Sequence, residues 1–174
     1  MMENALEING LCKHYDGFAL QDVSFTLPRG VVMGFIGENG AGKTTTIKAV
    51  LNLIRRDAGA IKVLGLDNIA QERAVKERIG VVLEDGCFLN TLTARHVDVL
   101  MGKAYQSWQS EQFFRFMERF GIDRNKKIKD YSKGMRMKVS IAAALSHGAE
   151  LLIMDEPTSG LDPVVRDEVL DLFY

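Results

Sequence analysis

The run Gly37-Glu38-Asn39-Gly40-Ala41-Gly42-Lys43-Thr44-Thr45 combines three glycines with a lysine and two hydroxyls, the composition needed to hold a polyphosphate. Without Cβ atoms at Gly37, Gly40 and Gly42, successive backbone N–H groups can curl around a phosphate. A helix beginning at the end of the run turns its unpaired donors and positive dipole end toward the anion. Lys43 adds a point charge for the β- and γ-phosphates, and Thr44 offers a hydroxyl to Mg²⁺, which prefers oxygen ligands. Far downstream, Asp155-Glu156 follow the apolar run Leu151-Leu152-Ile153-Met154. That order predicts two carboxylates at the C-terminal edge of a buried strand, where open α/β sheets bind their ligands. Asp155 suits the Mg²⁺ shell, and Glu156 can orient and partly deprotonate a water for in-line attack on a γ-phosphate. The two stretches together predict a nucleoside triphosphate site.

The elements that must position these groups follow from periodicity. Val31 to Ile36 is continuously apolar, as a strand covered on both faces would be, and leads into the glycine run. Ala5 to Leu11 and Leu20 to Leu27 alternate apolar and polar residues, the pattern of half-buried antiparallel strands. Helices are predicted at Thr45 to Ile54 and Ala70 to Arg78, and short strands at Ala60 to Leu64 and Ile79 to Leu83. From Thr93 to Ser146 the texture becomes helical, in Ala94 to Tyr105, Gln109 to Phe120 and Gly134 to Ser146. Phe113, Phe116, Met117 and Phe120 recur at three- and four-residue spacing, which reads as a helix core. Strand texture returns at Leu151. The expected fold class is therefore α/β: a core with an antiparallel β entry, interrupted by an inserted α-helical subdomain.

Composition narrows the function classes. At 174 residues the chain can bury a substantial core, and its formal net charge of −1 gives no electrostatic case for nucleic acid or an anionic membrane surface. No stretch reaches the roughly 18 apolar residues needed to cross a bilayer, and Met1 to Gly10 does not read as a signal peptide, so a cytosolic chain is expected. Cys12 and Cys87 are too few for a disulfide framework and lack metal-ligand spacing. Asn125-Lys126-Lys127-Ile128 lacks the aspartate with which GTPases read guanine.

With these motifs in order, the chain resembles the nucleotide-binding subunit of ATP-binding cassette (ABC) transporters from about residue 5 to its end. Tyr131-Ser132-Lys133-Gly134-Met135 stands in the place of the family's signature motif, usually Leu-Ser-Gly-Gly-Gln, and Ser159-Gly160-Leu161-Asp162 in that of its interface loop. Tyr15 stands where the family stacks an aromatic ring on adenine, the alternative being a plain hairpin aromatic. The resemblance implies a P-loop NTPase core with a mixed, mainly parallel sheet over 1–84 and 149–174, and a helical signature subdomain over 85–148. It implies ATP and Mg²⁺ as ligands, with Tyr15 and Gly37 to Thr45 binding nucleotide. Thr44, Glu84 and Asp155 would serve the metal, and Glu156 and Glu84 catalysis. It further implies a head-to-tail homodimer or heterodimer in which Ser132 and Gly134 of one subunit face the γ-phosphate held by the other. Transmembrane permease subunits would be the working partners, at the inner face of the cell membrane.

The chain departs from the family pattern in three places. Glu84 replaces the usual glutamine after the strand at Ile79, adding negative charge beside the triphosphate. Lys133 and Met135 alter the signature; Lys133 can add positive charge across the interface or point to solvent. The family's γ-phosphate histidine lies beyond the point where this sequence stops, whereas His14, His96 and His147 all precede Glu156. A core missing its C-terminal part, with weakened nucleotide binding, is the expectation. Two function classes remain: a transport ATPase, or a nucleotide-dependent interaction module without effective hydrolysis.

Overall fold

The computed structural model describes residues 3–83, 88–157 and Pro163. The chain forms two compact units, Met1–Lys76 and Glu77–Tyr174. The first is built on β1 (Asn4–Tyr15), β2 (Phe18–Pro28), β3 (Ala58–Val63) and β4 (Leu66–Asp67), a four-stranded antiparallel sheet in the order β2-β1-β3-β4. The hairpin between β1 and β2 turns at Asp16-Gly17, where Gly17 takes φ 81, and pairs Tyr15 with Phe18. Ile8 and Leu11 of β1 and Ile61 and Val63 of β3 are fully buried, so alternation places one face of this sheet in the core. At Gly59 a Cβ would lie 2.4 Å from the carbonyl oxygen of Gly10, so only glycine permits the approach of β3 to the irregular middle of β1.

Helix α1 (Lys43–Val50) follows the glycine run. Its C-terminal carbonyls are held by Asn68, a residue 1% exposed whose Nδ2 donates to the oxygens of Ala49 and Val50, both at 2.9 Å. Arg56 in turn donates to Asn68 Oδ1 at 2.7 Å. Helix α2 (Glu72–Arg78) carries the chain into the second unit.

The second unit contains β5 (Ile79–Val82) and β6 (Leu151–Met154), paired in parallel with Ile79 opposite Leu151 and Val82 opposite Met154. Its helices are α3 (Ala94–Ala104), α4 (Ser110–Arg119) and α5 (Lys133–Leu145). Helix α3 begins at the Thr93 cap, where His96 supplies the reciprocal acceptor, its Nδ1 taking the Thr93 N–H at 3.1 Å. Phe113 and Met117 of α4 bury against Val97, Tyr131 and Val139, as their spacing predicts; Phe116 and Phe120 pack at the margin. Helix α5 lies against β5 so closely that a Cβ on Gly80 would be 2.6 Å from the oxygen of Ala144. His147, 1% exposed, follows the end of α5 with Nε2 3.0 Å from the Ile79 oxygen and Nδ1 3.3 Å from that of Ala143.

The sequence pattern and the fold part company at Val31 to Ile36. Residues 31–38 adopt neither strand nor helix, and Val32 and Ile36 are 90% and 94% exposed. The physical reason is that apolar, β-branched composition makes a strand only when a neighbour supplies the ladder of hydrogen bonds. Among the described residues no strand pairs with this run, and Phe35 is anchored by its ring contact with Phe25 at 5.5 Å.

Candidate functional site

In the first unit the glycine run has the geometry of an anion cradle. Gly40 and Gly42 take φ 85 and 94, the left-handed region that glycine occupies at little cost. Gly42 is the N-cap of α1 and lies against β2: a Cβ there would be 3.0 Å from Phe18 Cζ and 3.1 Å from Leu20 Cδ2. Among the described residues no side chain caps this helix end, and no acidic residue stands in its first turn, so its first backbone donors and the positive end of its dipole are available to an anion. Thr46, buried, fastens the first turn by donating from Oγ1 to the Gly42 oxygen at 2.9 Å. Ala41 N–H closes a turn onto the Glu38 oxygen at 3.1 Å, while Glu38, Asn39 and Thr44 are exposed and Thr45 is half-buried. Lys43 folds its ammonium back over the loop, donating to the oxygens of Gly37 at 2.8 Å and Glu38 at 3.0 Å. The structure thus brings Gly37, Glu38 and Lys43 together around one short arc.

Tyr15 stands at the end of β1, 48% exposed, stacked on Phe18 with ring centroids 6.5 Å apart and an interplanar angle of 26°. The Lys13 ammonium lies 5.2 Å from its centroid, within cation–π range. Phe18 thereby links the Tyr15 ring to the backbone at Gly42.

In the second unit Asp155 is buried at the C-terminal end of β6, and its N–H extends the parallel ladder by donating to the Val82 oxygen at 2.9 Å. Glu156 follows, exposed and at φ 47, a left-handed conformation rare for a glutamate. The strand therefore ends with a buried carboxylate followed by an exposed one on a backbone in the left-handed region, a strain of the kind concentrated at functional positions. Glu84 lies outside the described residues, as do residues 159–162.

Ser132 is the N-cap of α5, its Oγ accepting from Met135 N–H at 3.1 Å. Gly134 is buried, Lys133 is exposed, and the first turn of α5 carries no acidic residue. The stretch is braced by Tyr131, whose hydroxyl donates to the Asp123 oxygen at 2.7 Å, and by Arg136, which donates to the Tyr131 oxygen at 2.7 Å. Burial, with the charge of Asp123, pushes the Tyr131 phenol pKa upward, so it remains a donor. Sequence reasoning did not single out Asn68, Arg56 or Asp57; the Arg56–Asn68, Asn68–Ala49 and Asp57–Lys13 contacts span 12, 19 and 44 residues, beyond the reach of any periodicity.

Residues 20–159 match the family model described as ABC transporter. The chain is 37% identical over 174 residues to the daunorubicin/doxorubicin resistance ATP-binding protein DrrA of Streptomyces peucetius, covering 97% of this chain and 53% of that protein. It is 40% identical over 151 residues to the ABC transporter ATP-binding protein NatA of Bacillus subtilis, covering 83% of this chain and 61% of that one. A solved ATP-binding subunit of an ABC transporter superposes with a TM-score of 0.85 at 30% identity, covering 97% of this chain and 73% of its own. The chain thus spans little more than half the length of these curated relatives. Two glycines in left-handed geometry at a bare helix end, an acidic pair closing a parallel strand, a serine-capped helix and these likenesses agree on one conclusion: the chain belongs to the ABC transporter family, on its ATP-binding side.

Proposed function

We propose that this chain binds and hydrolyses ATP and thereby energises transport through separate transmembrane permease subunits. The observation that carries this reading is the uncapped N-terminus of α1, with Gly40 and Gly42 left-handed and Lys43 folded over the loop. A phosphate oxygen is a stronger acceptor than the carbonyls of Gly37 and Glu38, so the Lys43 ammonium exchanges those contacts for the β- and γ-phosphates when nucleotide binds. The amides from Gly37 to Thr45 enclose the triphosphate, and Tyr15 serves as the platform for adenine.

Thr44, Asp155 and Glu84 are assigned to Mg²⁺. A hydroxyl and carboxylates are the oxygen donors that ion prefers, and when bound it would offset charge on the phosphates. Glu156 orients the attacking water and accepts its proton, with Glu84 as the second acidic group acting on the water. Ser132 and Gly134 are assigned to the γ-phosphate held by a second ATP-binding subunit, alike or different, in a head-to-tail dimer. Core segments 1–84 and 149–174 bind nucleotide, and the helical segment 85–148 passes the opening of that dimer to the permease. This places the protein in the cytoplasm, on the inner face of the membrane. The name of the Streptomyces relative refers to drug resistance, which favours export.

Titrating the chain with MgATP while following thermal unfolding tests the reading. The midpoint should rise with ligand, Lys43→Ala should abolish the rise, and Glu156→Gln should preserve binding while stopping turnover and accumulating dimer on gel filtration. An undiminished rise in Lys43→Ala would refute the phosphate site. Unchanged oligomeric state and unchanged phosphate release in Glu156→Gln would refute the motor.

A further inference from the structure

Asp57 stands between α1 and β3, and its polar contacts among the described residues run to the three residues that precede Tyr15. Its N–H donates to the Cys12 oxygen at 2.9 Å. Its carboxylate accepts the His14 N–H at 2.6 Å and the Lys13 ammonium at 3.0 Å, with His14 Nδ1 3.1 Å away. The pairing of β1 with β3 ends at Cys12 opposite Ala58, so beyond that point the Asp57 side chain replaces the missing ladder on this side of β1. The contacts hold its carboxyl pKa down at about 2, the His14 amide contributing most and Lys13 next. An exposed carboxylate so fully engaged orders its partners more than it is itself buried. Those partners set the Tyr15 ring: its own backbone follows His14, and the Lys13 ammonium that Asp57 holds lies over the ring face.

We propose that Asp57 is a positioning residue for nucleotide recognition: by clamping Lys13 and the His14 amide it fixes Tyr15 as a base platform, and so selects a nucleotide over a bare polyphosphate. This rests on Tyr15 being the base platform, as proposed above. Asp57 touches no part of the phosphate loop among the interactions described, so its effect is confined to the base.

The experiment measures, by calorimetry on the full 174-residue chain, affinities for MgATP and for magnesium tripolyphosphate, which has the charge but no base. Asp57→Asn keeps the shape and removes the charge; Lys13→Met removes the clamped cation and tests the same link should Asp57→Asn fold poorly. Each should weaken MgATP roughly tenfold, a stacking-scale effect, and leave tripolyphosphate within about twofold. Tyr15→Ala should do the same, and Asp57→Asn added to Tyr15→Ala should cost nothing further. If Tyr15→Ala loses the preference for MgATP while Asp57→Asn and Lys13→Met keep it, the clamp is refuted and the platform stands. If Tyr15→Ala itself keeps the preference, the platform is refuted. Equal weakening of both ligands in Asp57→Asn would show a merely structural role and overturn the proposal.

Discussion

Replacing Gly42 by alanine probes the phosphate loop where its backbone and its packing meet. Gly42 sits at φ 94, ψ 12, and an L-residue held there costs about 1–3 kcal/mol. The added methyl would lie 3.0 Å from Phe18 Cζ and 3.1 and 3.2 Å from Leu20 Cδ2 and Cγ. Both neighbours are side-chain ends that can yield a few tenths of an ångström by leaving their rotamer wells, at about 0.5–1.5 kcal/mol. Against this, alanine removes freedom from the unfolded chain, worth about 0.4–1 kcal/mol. The net expectation is a loss of about 2 kcal/mol. Gly40→Ala is the matched control, because Gly40 has φ 85 but no atom within 4 Å of the added Cβ. It should lose only the backbone part, about 1 kcal/mol less than Gly42→Ala. Urea unfolding of the three proteins, with the slope unchanged so that midpoints compare directly, reads the difference. A Gly42→Ala protein as stable as Gly40→Ala would show that Phe18 and Leu20 do not press on this backbone, and one as stable as the parent would refute the left-handed cap itself.

Asn68→Ala leaves the oxygens of Ala49 and Val50 and the Arg56 guanidinium without their buried partner, and should cost about 2–3 kcal/mol by the same denaturation. Asn68→Asp should rescue little, since a carboxylate cannot donate to carbonyls. The acid limb of stability should be set in part by Asp57. Its pKa is lowered from 3.8 to about 2 in the fold, so its contribution is complete above 3.8 and disappears as pH falls through about 2. Asp67 and Glu72 are shifted in the same direction, chiefly by the Ala70 amide and by Lys76 respectively, so Asp57→Asn should flatten that limb without abolishing it; an identical pH profile would refute the clamp geometry. Val32→Thr and Ile36→Thr, at 90% and 94% exposure, should each change stability by less than about 0.5 kcal/mol. A larger loss in unfolding experiments would mean that this apolar run is covered.

Local chemistry was readable in advance and distant chemistry was not. The glycines at 37, 40 and 42 announce a curled backbone free of Cβ atoms before a helix, and the loop uses that freedom at Gly40 and Gly42, which take φ 85 and 94. Phe113 and Met117 announced a buried helix face through their spacing, and the signature stretch at Ser132 stands, as expected, at the start of a helix. Asp57 offers no comparable signal. Its carboxylate meets residues 43 and 44 positions earlier, and only the register of β1 against β3 brings them together. His96 is a related case: a capping box normally carries glutamate or glutamine at its third position, so an imidazole there escapes the usual pattern.

Val31 to Ile36 shows how far a phosphate loop depends on the strand that leads into it. Composition makes this run a strand only in the presence of a neighbour, yet the loop after it keeps its form with no strand paired to the run among the described residues. What holds it is local. Thr46 fastens the first turn of α1, Lys43 draws the loop carbonyls inward, and Gly42 bears on Phe18 and Leu20 of β2. Asn68 secures the far end of the same helix. The cradle is therefore assembled from the antiparallel sheet and from its own helix, and the preceding run contributes through its last contact, Phe35 on Phe25. It follows that substitutions on β2 at Leu20 or Phe18 should disturb phosphate binding more than equal substitutions at Val32, although Val32 stands nearer to Gly37 in the chain.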